Sequence, residues 1–361
     1  MEEARGGGHV EHLSDRAELA RDSAGVGGAS RRWYAPLVGR LFRMITGTLS
    51  FLYLIVVLNA VQLSSFLLLP ISRRLVRRIN RWCARSIWGL WVLMAERQNH
   101  MDIRFTGDEI RPRENALVLP NHQSMTDVLL LLCFGWRARR LGDLKWFVKD
   151  PVKYVPGPGI GMWFLDCIFV KRNWLSDRAN IGRLFHKYKR ERIPIFLVSF
   201  LEGTRLRPSK LEAAQRFARE RGQYEPSHTL VPRTKGFVFT MLGLGDHLDA
   251  VYDVTLGYDG KPPSLYACFL GDVRRLDVHV RRFSRADLPT DEEGLVRWAL
   301  ELFQEKDRLL AERAQTGSFP GEQLGGGVTV AEWLTSEEDL PAWPGRRGST
   351  PAVHQAPTAT S

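Results

Sequence analysis

Hydrophobic and polar positions divide the chain into an arm, an apolar anchor, a long alternating middle and a tail. Residues 1 to 35 mix Gly, Ser, Ala and both charges without period. This predicts a disordered arm, too polar and too acidic for a signal peptide. From Met44 to Ser72 there are 29 positions without a charged residue. The core of that run, Leu49 to Leu69, exceeds the roughly 20 residues a spanning helix needs. Asn59, Gln62, Ser64 and Ser65 soften it, so a re-entrant or interfacial lie stands as the alternative to a span. Pro70 ends the run, and arginines follow at Arg73, Arg74, Arg77, Arg78, Arg81 and Arg85. Opposite them lie Leu75, Ile79, Trp82, Leu90 and Met94. The pattern predicts an amphipathic helix with arginines among anionic headgroups and Trp82, Trp88 and Trp91 at the boundary. Residues 36–98 are thus read as membrane-anchoring helices.

From residue 99 the period changes to that of an α/β domain. Met101 to Phe105 alternates like a half-buried strand, and Ala116 to Leu119 is wholly apolar and closed by Pro120. Further strands are expected at 145–148, 167–170, 195–201, 251–256 and 276–280. Helices are expected from Asp127 to near Gly135, at 177–191 and 209–221, and from Gly236 to Leu244. A last helix, at 290–313, opens on Thr290 as N-cap with Glu293 three residues on. Pro156-Gly157-Pro158-Gly159 requires a shaped loop. Together these predict a mixed sheet flanked by helices over 99–323, followed by a Gly-, Pro- and Ser-rich tail, 324–361, read as disordered. No second spanning run and no internal repeat is legible.

Composition narrows the partners. Fifty-one Lys and Arg against 40 Asp and Glu leave a net charge of +11 in 361 residues. Such an excess suits an anionic partner: nucleic acid, a membrane surface or a phosphorylated substrate. The four cysteines (Cys83, Cys133, Cys167 and Cys268) are scattered without C-x-x-C, which argues against a zinc site or a disulfide framework. No metal and no cofactor are expected.

The candidate chemistry begins at Asn121-His122-Gln123-Ser124-Met125-Thr126-Asp127, between a buried strand and a helix. Ligands in α/β sheets sit at the C-terminal strand ends. There, Asp127 can hold one ring nitrogen of His122 and leave the other as a general base. A capping role remains the alternative: Ser124 or Thr126 starts the helix, Asp127 favours its dipole, and His122 is merely exposed. Ser124 is a poor nucleophile candidate because no G-x-S-x-G surrounds it. Polar, often basic clusters follow other strands in the same way: Lys171-Arg172, Glu202-Gly203-Thr204-Arg205, and Arg233 with Lys235. If the strands share one sheet, these clusters gather at one edge as a dyad surrounded by phosphate-binding cations.

Four of these segments together resemble a known family. His122-x-x-x-x-Asp127, Ile168-Phe169-Val170-Lys171-Arg172, Glu202-Gly203-Thr204-Arg205 and Val231-Pro232-Arg233-Thr234-Lys235-Gly236-Phe237 are similar, in order, to the four motifs of the PlsC-type glycerolipid acyltransferases. Val251 to Thr255, Val280 to Phe283, Gln304 to Asp307 and Phe319 to Gln323 resemble the branch with lysophosphatidate and lysocardiolipin acyltransferases. The resemblance spans residues 40 to 323. It implies that His122 deprotonates the free hydroxyl of a lysophospholipid, that Asp127 orients the imidazole, and that no covalent acyl-enzyme forms. Arg172, Glu202, Gly203, Thr204 and Arg205 would hold the glycerol phosphate, with Lys171 and Lys235 helping. Acyl-CoA or acyl carrier protein would be the co-substrate. Lysophosphatidate is the expected acceptor, with lysophosphatidylinositol or lysocardiolipin as alternatives and thioester hydrolysis as a distant one. A bacterial inner membrane or the endoplasmic reticulum is the expected location, with the catalytic domain on the cytosolic side. A nucleic-acid partner is not expected, because no such module is recognisable and it would leave His122 and Asp127 without a role.

Overall fold

The computed structural model describes residues 37–171 and 173–325. The predicted arm, Arg172 and nearly all of the predicted tail lie outside the described residues.

Seven strands form one mixed sheet: β1 (Asp102–Gly107), β2 (Ala116–Pro120), β3 (Leu144–Lys149), β4 (Ile168–Val170), β5 (Phe196–Val198), β6 (Ala250–Gly257) and β7 (Arg275–Ser284). Their order is β1-β7-β6-β2-β5-β3-β4. β6, β2, β5, β3 and β4 run parallel, while β7 runs antiparallel to β6 and carries β1 alongside it. All five residues of β2, the central strand, are buried. Ala116 and Val118 enter the core on one face, Leu117 and Leu119 the core on the other. A strand covered on both faces must be apolar at every position, which is why its sequence shows no alternation.

Helices cover both faces. α1 (Leu37–Leu68) is the one described helix long and apolar enough to cross a membrane. It packs along α2 (Arg73–Leu93) as an antiparallel hairpin. Ser50 accepts from the Trp91 indole at 3.1 Å, and Ser65 accepts from the Asn80 amide at 3.3 Å. α3 (Thr126–Arg137) and α2 lie over one core. α5 (Trp174–Arg190), α7 (Thr234–Leu244) and α9 (Glu292–Thr316) lie over the other. The remaining described α-helices are α4 (Pro158–Phe164), α6 (Pro208–Glu220) and α8 (Leu265–Leu270), of which α4 and α8 add residues to the first core.

Several boundaries differ from expectation, for identifiable reasons. The 195–201 strand ends at Val198 because the chain turns there, Gly203 N–H closing on the Phe200 carbonyl at 3.0 Å. The last helix is capped by Asp291, whose side chain accepts from Gly294 N at 2.7 Å, and not by Thr290. The Pro/Gly stretch gives way at Pro158 to α4, with proline in the first turn where its missing N–H costs nothing. The amphipathic helix exists, but half its arginine stripe is turned inward. Arg77 pairs with Glu191 and Arg81 with Asp143, both at 2.6 Å, while Arg85 lies over the Trp136 ring. Arg73, Arg74 and Arg78 remain exposed. At roughly 100° per residue, positions 77, 81 and 85 form a row one step round from 74 and 78, and that row meets the acidic residues of the domain.

Candidate active site

The turn after β2 carries the dyad. His122 Nδ1 lies 2.8 Å from Asp127 Oδ2. The same oxygen accepts from Gln123 N at 2.7 Å and Ser124 N at 3.0 Å. Base-orienting and capping were alternative readings of Asp127, yet one oxygen serves both. The other oxygen, Oδ1, accepts from the Tyr258 hydroxyl, just beyond β6. Asp127 is fully buried and makes four hydrogen bonds as acceptor, so its carboxylate cannot swing away. Burial and the Asp127 charge push the Tyr258 phenol well above its usual range, keeping it a donor. Because the carboxylate accepts from Nδ1–H, the lone pair sits on Nε2, which has no partner among the described residues. The Phe200 ring stacks on the imidazole, centroids 4.1 Å apart, and fixes its plane.

The third segment wraps the backbone of His122. Glu202 Oε2 accepts from His122 N at 2.7 Å, and Leu206 N donates to the His122 carbonyl at 2.7 Å. Glu202 Oε1 accepts from Leu230 N at 3.0 Å, and Arg233 N donates to the Leu201 carbonyl at 2.8 Å. Three of the motifs are therefore stitched into one surface by buried polar contacts. The resemblance implied substrate contact for Glu202. In the structure both its oxygens are taken by backbone N–H groups and the side chain is buried, a bracing position. Burial pushes this carboxyl up to about 8. Gly203 has φ +69° and lies under the Arg233 side chain, where an added Cβ would fall 2.9 Å from Nε. Thr204 is half-buried, whereas Arg205, Arg233 and Lys235 are exposed. None of these three makes an ion pair among the described residues.

The second segment stands apart. Lys171 follows β4, three strands from β2, roughly 14 Å at the usual strand spacing. Its side chain is exposed, and its backbone N–H is held by Asp177 at 2.9 Å. The sheet thus brings His122, Asp127, Glu202, Gly203, Thr204, Arg205 and Lys235 to one edge, with Lys171 at its far end.

Other residues complete the site without having stood out as chemistry in the sequence. The Asn121 amide bridges β2 to β6, accepting from Leu256 N at 2.7 Å and donating to the Leu256 carbonyl at 3.0 Å. Lys306 of α9 is fully buried and bonds the Leu119 carbonyl at 3.2 Å, the Val254 carbonyl at 2.9 Å and Asp253 at 2.5 Å. Burial lowers its pKa. Asp307 takes the backbone N–H groups of Ser227, His228 and Thr229, fixing the loop that reaches Glu202. Arg313 bonds the Tyr258 carbonyl at 2.7 Å and Asp277. The signals were present as Gln304 to Asp307 and Val251 to Thr255, but a buried lysine or aspartate reads from sequence as a surface charge.

Comparison with known proteins decides the family. Residues 102–259 match the family model described as Acyltransferase, and 267–344 match Acyltransferase C-terminus. Among relatives, 1-acyl-sn-glycerol-3-phosphate acyltransferase 3 of Arabidopsis thaliana is 34% identical over 70% of this chain and 69% of its own. The human 1-acyl-sn-glycerol-3-phosphate acyltransferase gamma is 34% identical over 74% of this chain and 73% of its own. The chain belongs to the glycerolipid acyltransferase family. Among solved structures, the 1-acyl-sn-glycerophosphate acyltransferase PlsC from Thermotoga maritima matches this acyltransferase with TM-score 0.46 and 16% identity, over 78% of this chain and 97% of that one. The dyad leaves His122 Nε2 unengaged, on a ring whose other nitrogen and whose plane are both fixed.

Proposed function

We propose that this acyltransferase moves an acyl group from acyl-CoA to the free hydroxyl of 1-acyl-sn-glycerol-3-phosphate, giving phosphatidic acid and free CoA at a membrane. The observation that carries the reading is the His122–Asp127 pair, with Nδ1 locked at 2.8 Å and Nε2 unengaged. His122 Nε2 takes the hydroxyl proton as the oxygen attacks the thioester carbon. The imidazolium that forms is stabilised by the buried Asp127 carboxylate. As the tetrahedral intermediate collapses, the C–S bond breaks and the proton passes from Nε2 to the leaving sulfur. No side-chain nucleophile is needed, so no acyl-enzyme accumulates.

The acceptor and its phosphate follow from the names of the relatives and from charge. Arg205 and Arg172 supply planar forks suited to a phosphate monoester, and Lys235 adds a point charge. Lys171, at the far end of the edge, suits a longer or second anionic group, such as the phosphates of CoA. Glu202 acts as a brace that holds His122 and the fourth segment in register. The membrane carries both the lysolipid and α1, with the catalytic edge on the cytosolic side where acyl-CoA is found.

The test is His122→Ala, purified and assayed with labelled acyl-CoA and a panel of lysophosphatidate, lysophosphatidylinositol and lysocardiolipin. Wild-type protein should label phosphatidic acid fastest. The variant should fold and lose turnover by several orders of magnitude. Acyl-CoA consumption without acceptor would instead indicate a hydrolase, and normal transfer by a folded variant would remove His122 from the mechanism.

A further inference from the structure

The Pro156 to Gly159 stretch has no part in the site described above, yet its geometry is demanding. Gly157 has φ +85°, and a Cβ there would fall 2.9 Å from Ile55 of α1. A Cβ on Gly159 would fall 2.3 Å from the Val152 carbonyl. Only glycine at both positions lets the 150–157 turn fold onto itself and against α1. α4 continues along the same helix, with Trp163 and Phe164 packed on Phe66 at 5.5 and 5.0 Å between ring centroids.

This turn directs large apolar groups outward. Tyr154 is 75% exposed, Trp163 51% and Val155 46%. They adjoin the outward side of α1, where Leu67, next to Phe66, is 80% exposed. A soluble surface seldom shows a continuous apolar area of this kind, and aromatic rings beside lysines (here Lys149 and Lys153) suit the water–lipid boundary. The turn also leaves the sheet at β3's C-terminal end. β3, β5 and β2 are parallel neighbours, so that is the edge on which His122 lies.

We propose that the Asp150–Phe164 segment is a second lipid-contacting element, with Tyr154, Val155 and Trp163 seated in the headgroup boundary beside α1. α1 sets the occupant: the exposed patch continues a helix already apolar enough for the bilayer, so lipid rather than a protein partner covers it. The element tethers the active-site edge itself, so an amphiphilic acceptor reaches His122 without leaving the boundary layer. The inference rests on the membrane attachment of this chain, and its consequence rests on the lipid-acceptor reading.

All four native cysteines are buried, so a single introduced thiol can be labelled selectively. Tyr154→Cys, Val155→Cys and Trp163→Cys, each carrying an environment-sensitive fluorophore, are reconstituted as full-length protein into phosphatidylcholine–phosphatidylglycerol vesicles. Glu293→Cys, exposed at the opposite end of the sheet, serves as reference. The three test positions should emit at shorter wavelength than Glu293→Cys, lose intensity with doxyl-labelled lipid and resist aqueous iodide. Three positions keep the test decisive if one variant fails to fold. Iodide-accessible, lipid-insensitive emission at all three would overturn the proposal. A shift that follows protein concentration and not doxyl lipid would also overturn it, by making a second copy the occupant. The readout needs no turnover, so its failure leaves the His122–Asp127 chemistry standing.

Discussion

Asp127→Asn separates the shape of the site from its charge. Asp127 Oδ2 receives His122 Nδ1–H and two backbone N–H groups, while Oδ1 receives only the Tyr258 hydroxyl. An asparagine can place its carbonyl oxygen where Oδ2 was and turn its NH2 toward Tyr258, whose hydroxyl then accepts instead of donating. The hydrogen-bond count survives and the fold should persist, with a stability loss of about 1–2 kcal/mol for weaker, neutral bonds. The negative charge does not survive. In the proposed mechanism His122 becomes an imidazolium at the transition state, its charge about 4 Å from the carboxylate. That attraction is worth about 4 kcal/mol at an effective dielectric near 20, or a rate loss of about a thousandfold. The assay is steady-state transfer from labelled acyl-CoA to lysophosphatidate, paired with thermal unfolding in the same detergent. Tyr258→Phe adds an internal check. In the wild-type background it removes a hydrogen bond to a charged group and should cost about tenfold. Combined with Asp127→Asn it should cost little, because the charge it supported has gone. A folded Asp127→Asn enzyme keeping more than about a tenth of its activity would sink the electrostatic role, since an orienting effect alone was preserved.

Further expectations follow from other contacts. Arg205→Ala should lower kcat/KM for lysophosphatidate about tenfold to a hundredfold and the acyl-CoA dependence much less, with lysine rescuing partly; equal damage to both substrates would reassign the residue. Glu202, pushed up to about 8 by burial, keeps a proton that the unfolded chain releases near the ordinary carboxyl value of 4.5. Stability should therefore fall as pH rises through that window, by at most about 1.4 kcal/mol per unit, and level off above it. Glu202→Gln should flatten this slope in pH-dependent denaturation, at a cost of about 1–3 kcal/mol because one backbone N–H then faces an amide donor; an unchanged slope would mean the titrating group lies elsewhere. Lys306→Met should cost about 1–3 kcal/mol in chemical denaturation, because Asp253 Oδ1 and the Leu119 and Val254 carbonyls lose their buried partner while Arg281 still pairs Asp253 Oδ2.

The sequence carried most of the sheet, and the reason is physical. β2, β6 and β7 are long or wholly buried, so their apolar runs are unmistakable, and the residues after β2 are polar where an α/β sheet places its ligands. What it could not carry are relations between distant segments. The resemblance assigns Glu202 to the substrate; that it faces two backbone N–H groups depends on how residues 122 and 230 converge. Arg77 and Arg81 read as lipid-facing because their partners, Glu191 and Asp143, lie 114 and 62 positions away. Tyr258 had no signal at all, being a single tyrosine after a strand. Arg172, placed by its motif, lies outside the described residues.

The last described helix, α9, bears on when the enzyme can come into being during its synthesis. Lys306 bonds a carbonyl 187 positions earlier, and Arg313 holds the carbonyl of the tyrosine that supports Asp127. A growing chain therefore makes His122 and its strand early, yet lacks the groups that fix their surroundings until α9 has emerged and docked. Closing so long a loop is slow relative to local helix formation, so catalytic competence should arrive as a late, single step. A product stopped before residue 306 would keep every residue of the four motifs and still lack the contacts that hold their surroundings. The quality check on catalysis is thus built into α9: a copy cut short of it should be silent rather than leaky.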